Sequence, residues 1–385
     1  LLPDWGVFIG NRVVTNHYCE AAAQVLVGEG FFRVDSRPAR DFGVLLLRWL
    51  ARQQLSHELT VLDGMAGCGI RSVRYGLEAG ATELWVNDAD PERLPLLDQN
   101  LAALSHRPGL HWQTSKQTIQ KLLANFVLQE KYFDFVDIDA FGAATSLLPA
   151  ALGAVRLGGV LYLASSDGRS FTGHDRAAAV RRLGAAVRAQ PCSWELALRL
   201  QLGAIARAAW AMGHGLKPLL SFSEGRTFRT AIQLIRRPAP QEEALLGLQA
   251  YCHKCGNHWG TSLLAWKSLG LCNCGAEPVC SGPLWRGPLQ SPEVLSDALA
   301  LEQACAPSLA PMALKKLQRL INDPAQPAEA FALADLARHL QGGLPRLEQL
   351  LAALRAAGWC AAASGIEAMQ FRTDAPWAVV LRLAR

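Results

Sequence analysis

Phe133-Asp134-Phe135-Val136-Asp137-Ile138-Asp139-Ala140-Phe141-Gly142 is the stretch on which the fold turns. It reads as a strand buried in an α/β sheet that ends in a carboxylate followed by an aromatic. Open α/β sheets bind ligands outside the carboxyl ends of their strands, so Asp139 and Phe141 are expected to point into a crevice. A carboxylate there can accept hydrogen bonds from an exocyclic amine, and an aromatic ring can stack on the heterocycle that bears it. Alternation along the strand is expected to turn Asp137 away from that cleft. The bland alternative is an Asp that caps a following helix, expected over Ala143 to Val155.

Some seventy residues earlier, Leu59-Thr60-Val61-Leu62 runs into Asp63-Gly64-Met65-Ala66-Gly67-Cys68-Gly69-Ile70-Arg71. This is strand, glycine loop, helix. Glycine lets the backbone pass close to a ligand, and the helix that follows offers its positive end. Asp63, Gly67 and Gly69 are therefore candidate cofactor contacts. The spacing G-x-x-G-x-G is not the dinucleotide fingerprint G-x-G-x-x-G, which counts against an NAD enzyme. A second apolar strand, Glu83 to Asp88, ends about twenty residues past the loop in an acid placed to hold ribose hydroxyls. Glycine loop, ribose acid and carboxylate-aromatic strand end follow the order expected of an S-adenosylmethionine-dependent methyltransferase.

At 385 residues and 41.7 kDa the chain has room for two domains, each with its own core. No apolar run reaches the length of a membrane span, and the N-terminus lacks a charged-then-apolar signal pattern, so a cytoplasmic location is expected. The net charge is +5 and the pI about 8.7. Residues 151–235 hold ten Arg and one Lys against Asp167, Asp175, Glu195 and Glu224, a surplus of seven positive charges. Arginine clustered beside an active site favours a phosphate-bearing substrate, with Arg176, Arg181, Arg182 and Arg188 the expected contacts. A solvated face of charged helices is the alternative.

Among ten cysteines, Cys252-His253-Lys254-Cys255 and Cys272-Asn273-Cys274 form two close pairs. Tetrahedral zinc takes four soft ligands from two such knuckles. The second pair is C-x-C, tighter than usual, so Cys280, His253 and His258 stand as substitutes should Cys272 not reach. A structural zinc and a reducing compartment are expected.

Asp41 to Leu55 reads as a helix, and Val7–Ile9 and Gln24–Val27 as short strands before it. Strands at Leu59–Leu62, Leu84–Asn87, Leu110–Gln113, Phe133–Asp137 and Gly159–Ser165 alternate with helices, and Pro218–Phe222 and Thr227–Ile235 close the series as a hairpin. This is the signature of a mostly parallel seven-stranded sheet with one antiparallel strand near its edge. Arg236-Arg237-Pro238-Ala239-Pro240 breaks the pattern. The expected division is an extension (1–40), a methyltransferase domain (41–237) and a smaller, zinc-containing, mainly helical domain (238–385). Helices are expected at Pro292–Cys305, Met312–Leu320, Phe331–Leu340 and Leu347–Ala357, with a hairpin of Ala368–Phe371 and Ala378–Leu383 completing a winged-helix-like module.

With these residues in hand the chain resembles the tRNA guanine-26 N2-dimethyltransferase family over nearly its whole length. Phe31-Phe32 through Arg40-Asp41 is similar to the family's N-terminal aromatic and Asn-Arg-Asp motif, with Ala39 in place of asparagine. Gly69-Ile70-Arg71, Asn87-Asp88 and Asp137-Ile138-Asp139-x-Phe141-Gly142 match directly. So do Gly215-Leu216-Lys217-Pro218-Leu219-Leu220-Ser221, Gly282-Pro283-Leu284-Trp285-x-Gly287-Pro288-Leu289 and Arg372-Thr373-Asp374-Ala375-Pro376. The resemblance implies a Rossmann-like class I methyltransferase that uses S-adenosyl-L-methionine on tRNA, and no obligate protein partner is evident in the sequence. It assigns Arg40 and Arg71 to the methionine end of the cofactor and Asp88 to its ribose. It gives the guanine amine to Asp139 and the two faces of the base to Phe141 and to Phe31 or Phe32. Thr114-Ser115 stands where the family has an acid on the adenine amine, and Ala140 where it has proline. The rival readings are a methyltransferase for another amine in RNA or protein, or a tRNA-binding homologue with weakened catalysis.

Overall fold

The computed structural model describes residues 17–53, 58–268, 270–304, 308–323, 325–340 and 343–385. The strand expected at Val7–Ile9 lies outside them, as do Leu55 and Cys305 at the expected ends of two helices. The elements of the first half are β1 (His17–Glu20), β2 (Ala23–Leu26), α1 (Arg37–Gln53), β3 (Thr60–Asp63), α2 (Ile70–Glu78), β4 (Glu83–Asn87), α3 (Leu94–Leu101), β5 (His111–Ser115), α4 (Ile119–Leu128), β6 (Phe133–Ala140), α5 (Leu148–Ala154) and β7 (Val155–Ser165). There follow α6 (Gly168–Phe171), α7 (Arg176–Leu183), α8 (Ser193–Ala211), β8 (Gly215–Glu224) and β9 (Thr227–Ile235). The seven expected strands form one sheet in the order β5-β4-β3-β6-β7-β9-β8. β3 runs parallel to β4 and β6, β4 runs parallel to β5, and β8 and β9 are the antiparallel hairpin.

The chain divides into two compact units, the first made of residues up to 140 with 149–163 and 296–315, the second of 141–148, 164–295 and 316–385. In the first unit every residue of β3, and every residue of β6 up to Ile138, is buried. The apolar residues of both strands made them legible, although β6 also buries Asp134 and Asp137. α1 starts at Arg37, four residues before the expected Asp41, because Pro38 is tolerated in a first turn where its missing N–H is not needed. The helix expected over Ala143–Val155 is shorter. A 3-10 turn covers Ala144–Leu147, α5 ends at Ala154, and β7 already begins at Val155.

Charge is buried in this unit as well. Arg74 has no exposed side-chain surface and pairs with Glu20 (2.7 Å), Asp41 (2.6 Å) and Glu78 (2.9 Å). The network ties β1, a strand that the sequence reading did not identify, to α1 and α2.

In the second unit β10 (Leu246–Tyr251), β11 (His258–Ser262) and β12 (Val279–Trp285) make an antiparallel sheet in the order β11-β10-β12. The later elements are α9 (Pro292–Ala304) and α10 (Pro311–Ile321), which the first unit's 296–315 segment divides, then β13 (Ala330–Ala332), α11 (Leu333–Ala337), α12 (Leu347–Ala356), β14 (Ala361–Ala363), β15 (Gln370–Thr373) and α13 (Trp377–Leu383). Two expectations are corrected here. Phe331 belongs to β13, and only Leu333–Ala337 of the expected Phe331–Leu340 helix is helical. The hairpin partner expected at Ala378–Leu383 is the helix α13, while Gln370–Thr373 pairs with β13 and β14 instead. Short apolar runs do not separate strand from helix by period alone, and here Pro376 at the N-cap starts a helix that buries Val380 beside Leu350, Leu354 and Phe371. Among the described residues no helix is long and apolar enough to cross a membrane.

Arg372 in β15 is fully buried and binds both oxygens of Asp323 (2.8 and 3.0 Å) as well as Glu195. Glu195 also takes Arg199 (2.8 Å), whose remaining nitrogens donate to the carbonyls of Trp285, Gly287 and Ala325. Removing one partner of a buried pair strands the other charge without solvent, at a cost of about 3–5 kcal/mol. Arg372→Ala is expected to lower stability by that order in urea unfolding. Arg355→Ala, at an exposed site on α12, is expected to change it little.

Candidate active site and metal centre

The glycine loop is held from both sides. The Gly64 amide donates to the carbonyl of Asp137 at 2.9 Å, and the Ala66 amide to that of Asn87 at 2.8 Å. The Gly67 amide donates to the Asp88 carboxylate at 2.8 Å, whose other oxygen accepts from the Asp90 amide at 3.0 Å. Gly67 and Gly69 have φ of +59° and +77°, a region that side chains disfavour, and Gly69 hands the chain to α2. Asn87 draws three strand ends together: its amide donates to the carbonyls of Gly64 and Gln117, and its oxygen accepts from the Ser115 hydroxyl at 2.7 Å. The Thr114 hydroxyl donates to Asp98 at 2.8 Å.

Arg71, in the first turn of α2, is buried and forks across two carboxylates. One nitrogen donates to Asp137 at 3.2 Å and another to Asp139 at 3.1 Å. This corrects the expectation that Asp137 turns away. Residues two apart on a strand share a face, so Asp137 and Asp139 both meet the guanidinium, Asp137 buried and Asp139 half-exposed. The Tyr75 hydroxyl donates to the same oxygen of Asp137 at 2.6 Å. Asp63 stands opposite Asp137 in the β3–β6 register and accepts from the Ser72 hydroxyl at 2.7 Å. Burial, and then the charge of Asp137, push the Asp63 carboxyl up to about 7.

The N-terminal candidates divide by exposure. Phe32 is buried edge-on to Tyr18 at 4.9 Å, with the Arg40 guanidinium 5.1 Å over its ring. Arg40 is buried too, bound to Glu20 at 2.7 Å and donating to the carbonyls of Arg33 and Val34. Phe31 is 64 % exposed and Phe141 71 %. Thus Asp63, Gly67, Gly69, Arg71, Asp88 and Asp139 gather at the carboxyl ends of β3, β4 and β6, with Thr114 and Ser115 at the end of β5. The Arg40 guanidinium faces Glu20. Sequence reading missed Glu20 and Tyr75 as parts of this architecture, while it named Asn87 in the Asn87-Asp88 motif without its role of joining strand ends. Only Tyr75 carried a signal, standing four residues after Arg71 and hence on the same helix face.

The basic stretch is only partly surface. Arg199 and Arg229 are buried, and Arg156 and Arg182 pair with Asp134 and Asp167. Arg188 is half-buried and donates to its neighbour's carbonyl. Arg169, Arg176, Arg181 and Arg226 are exposed and enter no ion pair among the described residues.

The four cysteines converge. The sulfurs of Cys252, Cys255, Cys272 and Cys274 lie within 4.8 Å of one another, with Cys252 to Cys274 at 3.5 Å and Cys255 to Cys272 at 3.4 Å. Tetrahedral zinc at about 2.3 Å from each sulfur sets them about 3.8 Å apart, so the set fits a zinc ion. Each pair turns on a glycine of positive φ, and the amides of Gly256 and Gly275 donate to the carbonyls of Cys252 and Cys272 at 2.8 Å. Cys272 reaches, so no substitute ligand is needed. His258 packs on Phe331 at 4.1 Å, and His253 lies edge-on to Tyr251 at 4.8 Å. The Trp377 indole donates to the Cys255 carbonyl at 2.6 Å, which fastens α13 to the knuckle.

Metal analysis is expected to find one zinc per chain. Cys255→Ser should lose it and lower the thermal midpoint, since metal binding and folding of such a module are coupled. Asp63 supplies a second prediction. Its folded-state value lies above the unfolded value of about 3.9, so its contribution to stability is full below about pH 4 and is lost as pH rises towards 7. The slope reaches about 1.4 kcal/mol per pH unit. Asp63→Asn should flatten it in urea unfolding series run between these pH values.

The sequence model of the N2,N2-dimethylguanosine tRNA methyltransferase family matches residues 19–385. The tRNA (guanine(26)-N(2))-dimethyltransferase of Pyrococcus abyssi is 28% identical over 358 residues, covering 89% of this chain and 89% of its own. That of Thermococcus kodakarensis is 29% identical over 358 residues, with 90% of each covered. The solved structure of Trm1 from Pyrococcus horikoshii, a complex with S-adenosyl-L-methionine, has the same fold, with a TM-score of 0.84, 22% identity, and coverage of 96% of this chain and 99% of that one. The match runs through the glycine loop, the Asp139 strand end and the cysteine knuckles alike, and the chain belongs to the N2,N2-dimethylguanosine tRNA methyltransferase family.

Proposed function

We propose that this protein transfers methyl groups from S-adenosyl-L-methionine to the exocyclic N2 of guanine 26 in tRNA, with Asp139 as the general base. One observation carries the reading. The Asp139 carboxylate stands at the end of β6, half-exposed and 3.1 Å from Arg71, beside a glycine loop tied to Asp88, in a chain that the family match spans from residue 19 to 385.

The cofactor, when bound, supplies a methyl group on a sulfonium centre. We assign Asp88 to its ribose, Arg71 and Arg40 to its methionine end, Thr114 and Ser115 to its adenine end, and Asp63, Gly67 and Gly69 to the loop that lets it approach. The lone pair of guanine N2 is delocalised into the ring, so the amine is a weak nucleophile. Asp139 accepts a hydrogen bond from one N–H, localises the lone pair and takes the proton as the methyl arrives. A backbone carbonyl at Ile138 or Ala140 accepts from the other N–H. Alignment of N2 with the methyl carbon and the sulfur provides most of the acceleration. The guanine has to leave its stack to be reached. We assign Phe141 and Phe31 to its faces, Phe31 being the exposed member of its pair, with Phe32 packed behind.

For tRNA phosphates we favour Arg169, Arg176, Arg181 and Arg226 over Arg182 and Arg188, which already have protein partners. The zinc is structural in this reading, since all four positions are filled by cysteine. The division at 1–40, 41–237 and 238–385, the winged-helix-like order of α10 to β15 and a cytoplasmic location belong to the same proposal.

Nucleoside mass spectrometry with site mapping, on tRNA incubated with protein and S-adenosylmethionine, is expected to place dimethylguanosine at position 26. Product on another amine, or none, refutes the assignment. Asp139→Asn should lower the single-turnover rate ~100- to 10,000-fold with both ligands saturating. A rate within a few-fold of the parent would remove Asp139 as the base.

A further inference from the structure

We infer that Tyr75 is a positioning residue for the reaction, acting on Asp139 through Asp137 and Arg71, and that Gly43 in α1 reserves the space its hydroxyl needs. The inference rests on the reading of Asp139 as the base. Four contacts carry it. A Cβ added at Gly43 would lie 2.5 Å from the Tyr75 hydroxyl, so α1 accepts that hydroxyl only because residue 43 has no side chain. The hydroxyl donates to Asp137 at 2.6 Å. The same Asp137 oxygen accepts from Arg71 at 3.2 Å. A second nitrogen of Arg71 donates to Asp139 at 3.1 Å.

Geometry makes this chain stiff at the buried end and adjustable at the exposed end. Tyr75 has no exposed surface, and Arg71 and Asp137 are buried. The other oxygen of Asp137 is buried without a hydrogen-bond partner among the described residues, so both bonds that orient this carboxylate converge on one atom. Asp63, opposite in the β3–β6 register, brings a third acid to the cluster, and its Ser72 partner turns it towards α2. Without the tyrosine hydroxyl, Asp137 keeps only Arg71 as a donor. The carboxylate is then free to rotate about its Cα–Cβ bond and carry the guanidinium with it. Because the guanidinium is planar and its two nitrogens are fixed relative to each other, a shift at Asp137 is transmitted to the nitrogen on Asp139. Displacement of a catalytic group by about 1 Å costs up to about 100-fold in rate.

Tyr75→Phe removes one oxygen atom and keeps the ring in place. Its single-turnover methyl transfer at saturating tRNA and cofactor is expected to fall about 10-fold, while the tRNA dissociation constant stays within about twofold. Gly43→Ala, which keeps the hydroxyl but displaces it, should lower the rate in the same direction. In an Asp139→Asn background the Tyr75→Phe change should cost less than about twofold, because the group it positions is gone. Three results would overturn the inference. Tyr75→Phe at the parent rate beside an inactive Asp139→Asn refutes the positioning role and leaves the base assignment standing. An equal loss in both backgrounds shows that Tyr75 acts through general stability. An active Asp139→Asn refutes the base itself, and the positioning role falls with it.

Discussion

The guanidinium of Arg71 lies buried at the carboxyl ends of parallel strands, where water cannot solvate it and an unpaired charge costs several kcal/mol. Asp137 and Asp139 meet that requirement because residues two apart on β6 share one face. The first turn of α2 is therefore locked to the end of β6, and the glycine loop between β3 and α2 has its path decided at both ends. Gly64 is bound to the Asp137 carbonyl and Gly67 to the Asp88 carboxylate. This pairing leaves Asp139 half-exposed at the end of β6. The three acids at the spot would repel one another without the arginine, and burial first, then the charge of Asp137, raises the Asp63 carboxyl.

The same logic recurs elsewhere in both units. In the first, Arg74 is surrounded by Glu20, Asp41 and Glu78, and Arg40 by Glu20 and two backbone carbonyls. In the second, Arg372 and Arg199 share Glu195, with Asp323 completing the set. Buried pairs of this kind contribute little net stability compared with apolar packing, yet breaking one is costly. They act as register pins: each arginine reaches elements far apart in the chain and tolerates few alternative positions. Arg372 stands in Arg372-Thr373-Asp374-Ala375-Pro376, so a motif that resembles a family signature is, in this fold, a buried structural joint.

The cysteine cluster solves a different problem. The β11-β10-β12 sheet has three short strands, and the two cysteine pairs sit in the connections on either side of β11. A zinc ion held by the four sulfurs would tie these two connections together. The knuckle then serves as a fastening point, with the Trp377 indole on the Cys255 carbonyl and the Tyr251 hydroxyl on Asp335 at 2.6 Å.

By itself the sequence determined the parts whose chemistry is local. Clustered apolar residues announced β3 and β6, closely spaced glycines announced the loop, and paired cysteines announced the metal site. All of these depend on residues within a few positions of one another. The acids at 88 and 139 were legible because strand ends in such sheets face the ligand crevice. What only the tertiary structure decided was which charges meet. Nothing local distinguishes Arg71 and Arg74, which bind other elements, from Arg176 and Arg181, which stand in solvent, since an arginine's partner is chosen by packing across tens or hundreds of residues. The surplus of charge in residues 151–235 overstated the basic surface for the same reason. Trp377–Leu383 likewise became a helix where a strand was expected. Its apolar residues satisfy either period, and the edge of β15 on which such a strand would have paired was already taken by β13 and β14.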